Sequence, residues 1–490
     1  MTIPALFLRP LWALCFGLTA CSSPDRAEEV AQAKAAPAAP EVPAIPPLRT
    51  DSAGAAWVEQ TLAQLTLRQR VAQLVFPWIS GRSISADPAE HRRMLEWVSR
   101  DEVGGLIVST GTPAALAAKL NAAQMRAGVP LLIVSDLETG PGMRLTPGGT
   151  RMPPAMAFGA AGDTALAREA GRATGAEARA VGIHLTLGPV LDINSNPANP
   201  IINVRSFGES PEAVARLGAA WLQGARESGL LSVGKHFPGH GDTHVDSHVG
   251  LAQIDADSAR LATMETVPFR GAMRAGMDGV LVGHIAAVGI EGANAPPASL
   301  SPRMIGMLRG PMEFRGIVFT DALNMGGVTR RYSVTEASIL ALLAGADALL
   351  QPPGHPAVID GIVAAVESGR IPRARIDEAV RRVLTAKAAA GLHRGSRVDA
   401  AAVAGAVGTE AHREIARRVA GRALTLVRDR NNAVPLRPGA RVLHVTYDDG
   451  RDYAGNILQR ELAAGGVAAE HVRVGPRTPA ATFDRLRERA

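Results

Sequence analysis

The chain predicts a (β/α)8 barrel followed by a partial α/β domain of sandwich type. Two observations carry this prediction. From residue 55 onward, eight apolar runs of strand length alternate with helix-length, Ala-rich periodic segments. The polar residues that punctuate the runs fall repeatedly at their C-terminal ends, where a barrel of this class gathers its chemistry.

The strands are expected at Gln73–Trp78, Val103–Ser109, Pro130–Asp136, Gly182–Val190, Leu230–His236, Gly279–Ile285, Gly316–Asp321 and Ala346–Gln351. Most are continuous apolar runs rather than alternating ones, as a parallel sheet buried on both faces requires. Helices are expected at Pro113–Ala127, Asp163–Ala180, Pro211–Ser228, Ser258–Ala275, Ser301–Met312 and Thr335–Ala344. A doubly wound open sheet is the alternative arrangement of the same units. In order along the chain, the strand ends carry Asp136 and Glu138, then Asp192, Asn194 and Arg205, then Lys235 and His236, then His284, then Thr320 and Asp321. Asp192 and Asn194 also read as cap or turn residues.

The chain opens on a targeting segment, residues 1–20. Arg9 supplies a small positive region and Leu11 to Leu18 a short apolar core, too short to span a membrane as a helix. It ends in Leu18-Thr19-Ala20-Cys21, which resembles a bacterial lipobox. The expectation is an exported lipoprotein held to a membrane through lipidated Cys21, with Cys15 lost with the signal and no disulfide possible. Residues 21–50 read as an Ala/Pro-rich tether, 51–394 as the barrel, 395–405 as a linker and 406–490 as the partial second domain. In the last part a helix (Thr409–Arg422), a strand (Leu424–Arg428), a turn at Asn431-Asn432, a strand (Val442–Thr446), a helix, a short strand and a final helix are expected. That domain is either cut short or packed on the barrel.

Net charge is +6, and the basic residues are mostly scattered Arg, which does not favour a nucleic-acid partner. Lys is scarce: Lys34, Lys119, Lys235 and Lys387 are the whole set. One of them opens the stretch Lys235 to His248, which packs four His, two Asp and one Lys into fourteen residues behind the run Leu230–Val233. Pro238, Gly239 and Gly241 turn the strand into a loop. His240, Asp242, His244 and His248 have a spacing that zinc could use, but a metal site leaves Asp321, Arg205 and Lys235 at other strand ends unexplained. His240 and His244 read as structural loop residues, His184 as a core histidine, and His284 as either core or pocket lining.

Lys235-His236-Phe237-Pro238-Gly239-His240-Gly241-Asp242-Thr243, followed by Asp246-Ser247-His248, resembles the signature of family 3 glycoside hydrolases of the β-N-acetylglucosaminidase branch. Arg205-Ser206-Phe207-Gly208, Val318-Phe319-Thr320-Asp321 and Asp136-Leu137-Glu138-Thr139-Gly140 with Arg144 resemble three further family segments, in family order. The resemblance implies exo-acting, retaining hydrolysis of terminal β-linked N-acetylhexosamine, with cell-wall fragments as carbohydrate substrates and no cofactor or metal. It implies Asp321 as nucleophile, His248 as acid/base and Asp246 as its partner. Asp136, Arg144, Arg205, Lys235 and His236 then bind the terminal sugar. The segment Glu138 to Gly142 departs from the commonest family form, which has a second Gly beside the Glu. A β-N-acetylglucosaminide phosphorylase, a β-glucosidase-type member and a metal-dependent hydrolase are the alternative activities. Retaining glycosidases ordinarily use two carboxyl groups about 5 Å apart. Here the second role falls to a histidine, whose ordinary pKa suits proton donation near neutrality.

Overall fold

The computed structural model describes residues 47–429, 432, 434–437, 439–448 and 455–489. The expected signal peptide and nearly all of the tether, as well as Asn431, lie outside them. Seven strands hydrogen-bond in parallel in the order Ile317–Thr320, Gly279–Val282, Leu231–Phe237, Leu185–Thr186, Leu132–Ser135, Gly105–Val108 and Trp78–Ile79. The ring closes through Val75–Phe76, which pairs in parallel with Leu349–Leu350, and through a parallel bridge from Phe319 to Ala348. Pro77 lies where the first strand changes partner: Phe76 accepts from Gln351 and Pro77 from Ile107, both at 2.9 Å. Proline has no N–H to continue a ladder, so the two halves of this strand serve opposite neighbours. All eight expected strands are therefore present in sequence order around a barrel.

Continuous burial explains why these runs read as strands. Every residue of Gly105–Val108, Leu132–Ser135, Gly279–Val282 and Ile317–Thr320 is buried. Most of the expected strands are trimmed at their ends, and two are interrupted. The fourth is regular only at Leu185–Thr186, with an isolated bridge from Val190 to Lys235 beyond Gly188-Pro189. The sixth stops at Val282; after Gly283-His284 the chain re-forms as Ile285–Ala287, paired in parallel with Ala252–Ile254. This small ribbon is absent from the sequence reading because three residues carry no periodic signal.

The expected helices form with ordinary signals. Asp163, Ser210, Ser301 and Ser333 cap them through their side chains, and Pro113, Pro211 and Pro302 occupy first-turn positions. The expected helix Ser258–Ala275 is broken into Ser258–Arg260, a π-type turn Leu261–Glu265 and Val267–Arg274, where Pro268 lacks the N–H an unbroken ladder would need.

Beyond the barrel, two expectations change. The stretch around Val398 is tied to the barrel, since Asn121 donates to its carbonyl at 2.8 Å and accepts from its N–H at 3.0 Å. Leu424–Arg428 forms no strand: Leu424, Leu426 and Val427 are exposed, and among the described residues no ladder pairs with them. An extended segment without a neighbouring strand leaves its backbone groups to water. The sheet there has two parallel strands, Arg441–Tyr447 and Ala468–Val474, joined by the helix Asn456–Ala464; Ala480–Arg489 forms the last helix.

Lys387, on the helix Arg373–Ala389, is fully buried, and its ammonium donates to Gln73 at 2.5 Å just before the first strand. Burial pulls its pKa down to about 7. The unfolded chain keeps this proton up to about pH 10. Between about pH 7 and 10 the unfolded state therefore binds more protons, and stability rises with pH. Below pH 7 the penalty is felt in full. Urea unfolding at several pH values should show that Lys387→Met flattens this rise by up to about one proton, ~1.4 kcal/mol per pH unit. An unchanged slope would mean that Lys387 stays charged when folded.

Candidate active site

At the C-terminal rim of the barrel, five charged side chains from three regions meet. Asp136 directly follows Leu132–Ser135, with Glu138 and Arg144 on the loop beyond it; Arg205 ends the short turn Asn203–Arg205; Lys235 lies inside Leu231–Phe237. The Lys235 ammonium sits 2.8 Å from Asp136 and 2.6 Å from Glu138. Arg205 forks onto both Glu138 oxygens, Nε at 2.8 Å and Nη2 at 2.9 Å, and Arg144 reaches Asp136 at 3.3 Å. Burial alone would push the Glu138 carboxyl up, but Lys235 and Arg205 outweigh it and hold the group far below the usual carboxylate range. Burial would likewise lower the Lys235 pKa, yet Asp136 and Glu138 raise it above its ordinary value. Glu138 and Lys235 thus hold their charges despite burial, within an array of donors and acceptors of the kind that reads hydroxyl groups.

Beneath it lies Asp192, a residue whose sequence context suggests only a cap or turn. Its buried carboxylate accepts from the backbone N–H of His236 at 3.2 Å and of His240 at 2.7 Å, and meets His236 Nδ1 at 2.7 Å. Burial opposes ionisation, but His236 and His240 overcome it and lower its pKa. With Nδ1–H donated to Asp192, His236 turns Nε2 toward Arg205, 3.4 Å away. Asp192 thus ties down the start of the His-rich stretch, from His236 to His240. Sequence reasoning lacked this because its partners lie 44 and 48 residues away.

The loop after the strand has a buried root and an exposed tip. His240 is buried, with Nδ1 2.6 Å from the Thr243 hydroxyl and Nε2 2.9 Å from the Ser247 hydroxyl. Burial, then the neighbouring His236, lowers its pKa to about 4. Asn199 donates to the carbonyls of His240 and Thr243 at 2.8 and 3.0 Å. Gly241 sits where a Cβ would lie 1.5 Å from the Ile193 carbonyl oxygen, so backbone packs on backbone. This contact secures the root of the loop. The tip carries Asp246 and His248, with His248 Nδ1 2.7 Å from Asp246 and its side chain 60% exposed. The Gly326 and Gly327 N–H groups donate to the carbonyls of His248 and Ser247 at 3.0 and 3.1 Å. These glycines closely follow Asp321, so the tip is docked on the segment that carries that carboxylate.

Asp321 extends the strand Ile317–Thr320, and its carboxylate accepts from the Ala322 N–H at 2.8 Å. Burial would raise its pKa, but His284, His236 and Lys235 draw it below the usual range. His284 is fully buried: Nε2 donates to the Ala322 carbonyl at 3.0 Å and Nδ1 meets the Ser299 hydroxyl at 2.7 Å. His184 is a core residue, its Nδ1 accepting from the Ile133 N–H at 3.0 Å. The structure thus gathers Asp136, Arg144, Arg205, Lys235 and His236 into one array beside Asp321, with Asp246 and His248 paired on the adjoining loop. His240, His244 and His248 point to separate partners: Thr243 with Ser247, Asn196 and Asp246. Among the described residues no group of three or more His, Cys, Asp or Glu side chains converges as a metal site.

Residues 66–386 match the family model described as glycosyl hydrolase family 3 N terminal domain. The chain is 33% identical over 401 residues to a β-N-acetylglucosaminidase/β-glucosidase of Cellulomonas fimi, covering 80% of this chain and 69% of that protein. Its structure resembles that of a family 3 β-N-acetylglucosaminidase from Paenibacillus sp. str. FPU-7, with a TM-score of 0.75 and 34% identity over 86% of this chain and 82% of the other. It also resembles a β-glucoside phosphorylase, with a TM-score of 0.81 and 25% identity over 90% of this chain and 82% of the other.

Because the Asp192 carboxylate satisfies three buried N–H groups, Asp192→Ala should destabilise the protein by about 3–5 kcal/mol in chemical denaturation, the scale of stripping a buried charged partner. Asp192→Asn keeps an acceptor and should lose less. A loss below about 1 kcal/mol in Asp192→Ala would show that water takes over these bonds.

Proposed function

This chain belongs to glycoside hydrolase family 3, and we propose that it removes terminal β-linked N-acetylglucosamine by a retaining double displacement. Asp321 attacks the anomeric carbon and forms a glycosyl ester while the glycosidic bond breaks. His248 gives its Nε2 proton to the departing oxygen, with Nδ1 held by Asp246. In the second step the same imidazole takes a proton from water, which attacks the ester and releases the sugar. Asp136, Arg144, Arg205, Lys235 and His236 hold the terminal sugar.

One observation carries this assignment of roles. Among the rim carboxyls near Asp321, Glu138 is locked as a carboxylate by Arg205 and Lys235, and Asp136 is bound to Lys235 and Arg144. Neither is free to act as the acid, which supports a histidine in that role. The likeness to a β-glucoside phosphorylase supports phosphate as a second possible acceptor. A neutral imidazole repels an incoming anion less than a carboxylate does. Within the same reading the protein is exported and acts on cell-wall fragments from a lipid anchor at Cys21. No helix among the described residues is long and apolar enough to cross a membrane. Cys21→Ala should move the protein from the membrane to the soluble fraction.

The test is turnover of aryl β-N-acetylglucosaminide against aryl β-glucoside, each with and without phosphate. Preference for the N-acetyl substrate with no response to phosphate supports the hydrolase; a sugar 1-phosphate product overturns it in favour of phosphorolysis. Asp321→Ala should lose several orders of magnitude in kcat while remaining folded. His248→Ala should lose about 10²–10⁴-fold on a disaccharide, and far less in the glycosylation step with a dinitrophenyl leaving group, which needs no proton. Equal losses on good and poor leaving groups would remove His248 from the acid role.

A further inference from the structure

We infer that Glu177, gripped by His412 from a helix beyond the barrel, is a positioning residue for the sugar-binding loop, an assignment that rests on the glycosidase reading of the rim. Glu177 lies on the helix Thr164–Ala180, is fully buried, and stands outside the charge network at the rim. One carboxylate oxygen accepts from the Thr150 N–H at 2.9 Å. The other accepts from the Thr150 hydroxyl at 2.6 Å and meets His412 Nδ1 at 2.7 Å. Thr150 belongs to the loop that begins with Asp136 and Glu138 and carries Arg144. Its carbonyl accepts from the Gly142 N–H at 2.8 Å, and Met152 N–H donates to Thr139 at 2.9 Å, so the two limbs of the loop are laced together where Glu177 holds them. Arg144 lies two residues beyond Gly142, and its 3.3 Å contact with Asp136 is the longest of the carboxylate contacts at the rim.

The outer side of the clamp comes from residues beyond 386, where the family match ends. Thr409 caps the helix Glu410–Ala423 and so sets the direction in which His412 points. Just before it, Gly408 has φ 66°, and a Cβ there would lie 2.0 Å from the Gly148 carbonyl oxygen. Backbone thus rests on backbone two residues from Thr150. A buried carboxylate bonded to the loop on one side and to this helix on the other transmits the position of the helix to Gly142 and Arg144. Sub-ångström placement of sugar-binding groups governs binding and rate.

The test uses the full-length enzyme and its His412→Ala, His412→Asn and Glu177→Gln variants. His412→Ala should raise KM for aryl β-N-acetylglucosaminide about tenfold, with kcat within about threefold, when assayed well below its melting temperature. His412→Asn, whose amide N–H can replace Nδ1–H, should bring KM back to within about threefold of the parent. Glu177→Gln should fall between them. A variant that merely unfolds more easily would lower apparent kcat and leave KM alone, and unchanged KM in His412→Ala overturns the assignment. Amide hydrogen exchange supplies a readout that needs no substrate: the Thr150 and Gly142 N–H groups should exchange about tenfold faster in His412→Ala. Unchanged exchange also overturns it. A parent enzyme inert toward the aryl substrate would sink the proposed function, while the exchange result would still decide whether the clamp exists.

Discussion

The rim is organised around one buried ammonium. Lys235 sits inside a strand whose every residue is buried, and an isolated charge there would shed its proton. It stays charged because Asp136 and Glu138 both lie within 3 Å, and Glu138 stays charged because Arg205 and Lys235 share it. Lys235 and Glu138 thus hold their charges against burial through their partners. The consequence is geometric: each of Lys235, Asp136 and Glu138 is held by two partners, which favours the one arrangement in which all are paired. Such an array can be rigid before substrate arrives, which is what positioning a sugar requires.

The pair proposed for proton transfer is built on the opposite principle. His248 and Asp246 lie at an exposed tip, while the root of the same loop is fixed by Asp192, His240, Asn199 and backbone packing at Gly241. In the proposed cycle the imidazole gives up its proton in the first step and regains it from the attacking water in the second, which a histidine open to solvent at the tip allows. The docking bonds from Gly326 and Gly327 involve backbone only. They leave both side chains free and tie the tip to the segment that carries Asp321. Rigidity at the root and access at the tip divide the two tasks along fourteen residues of chain.

The strands were legible because each is buried on both faces and so reads as an unbroken apolar run. The rim residues were legible because parallel strands end together. What stayed hidden depends on partners far along the chain. Asp192 looks like a turn residue until His236 and His240 are brought to it, and Glu177 looks like any helix glutamate until Thr150 and His412 converge on it. Leu424 to Arg428 failed in the other direction: its β-type composition is real, but a strand also needs a neighbour, and composition cannot supply one. Gly241 reads in the sequence as a residue that ends a strand, and the position of the Ile193 carbonyl is what shows that the fold uses it for contact.

The same long-range bonds redraw the catalytic body. Lys387 bonds Gln73 at the N-terminal end of the barrel, Val398 is tied to Asn121 on an outer helix, and His412 and Arg418 reach Glu177 and Glu169. The segment from 387 to 423 therefore travels from the floor of the barrel to the loop at its rim, making specific bonds along the way. Composition marks a boundary near residue 395, where Gly and Ala replace the strand-helix rhythm, but hydrogen bonding does not respect it. On the proposed assignment, the helix that holds the loop of Asp136 and Arg144 through buried Glu177 belongs to the active-site architecture as much as the strands do. In physical terms the barrel ends after Ala423, where the exposed, unpaired stretch begins.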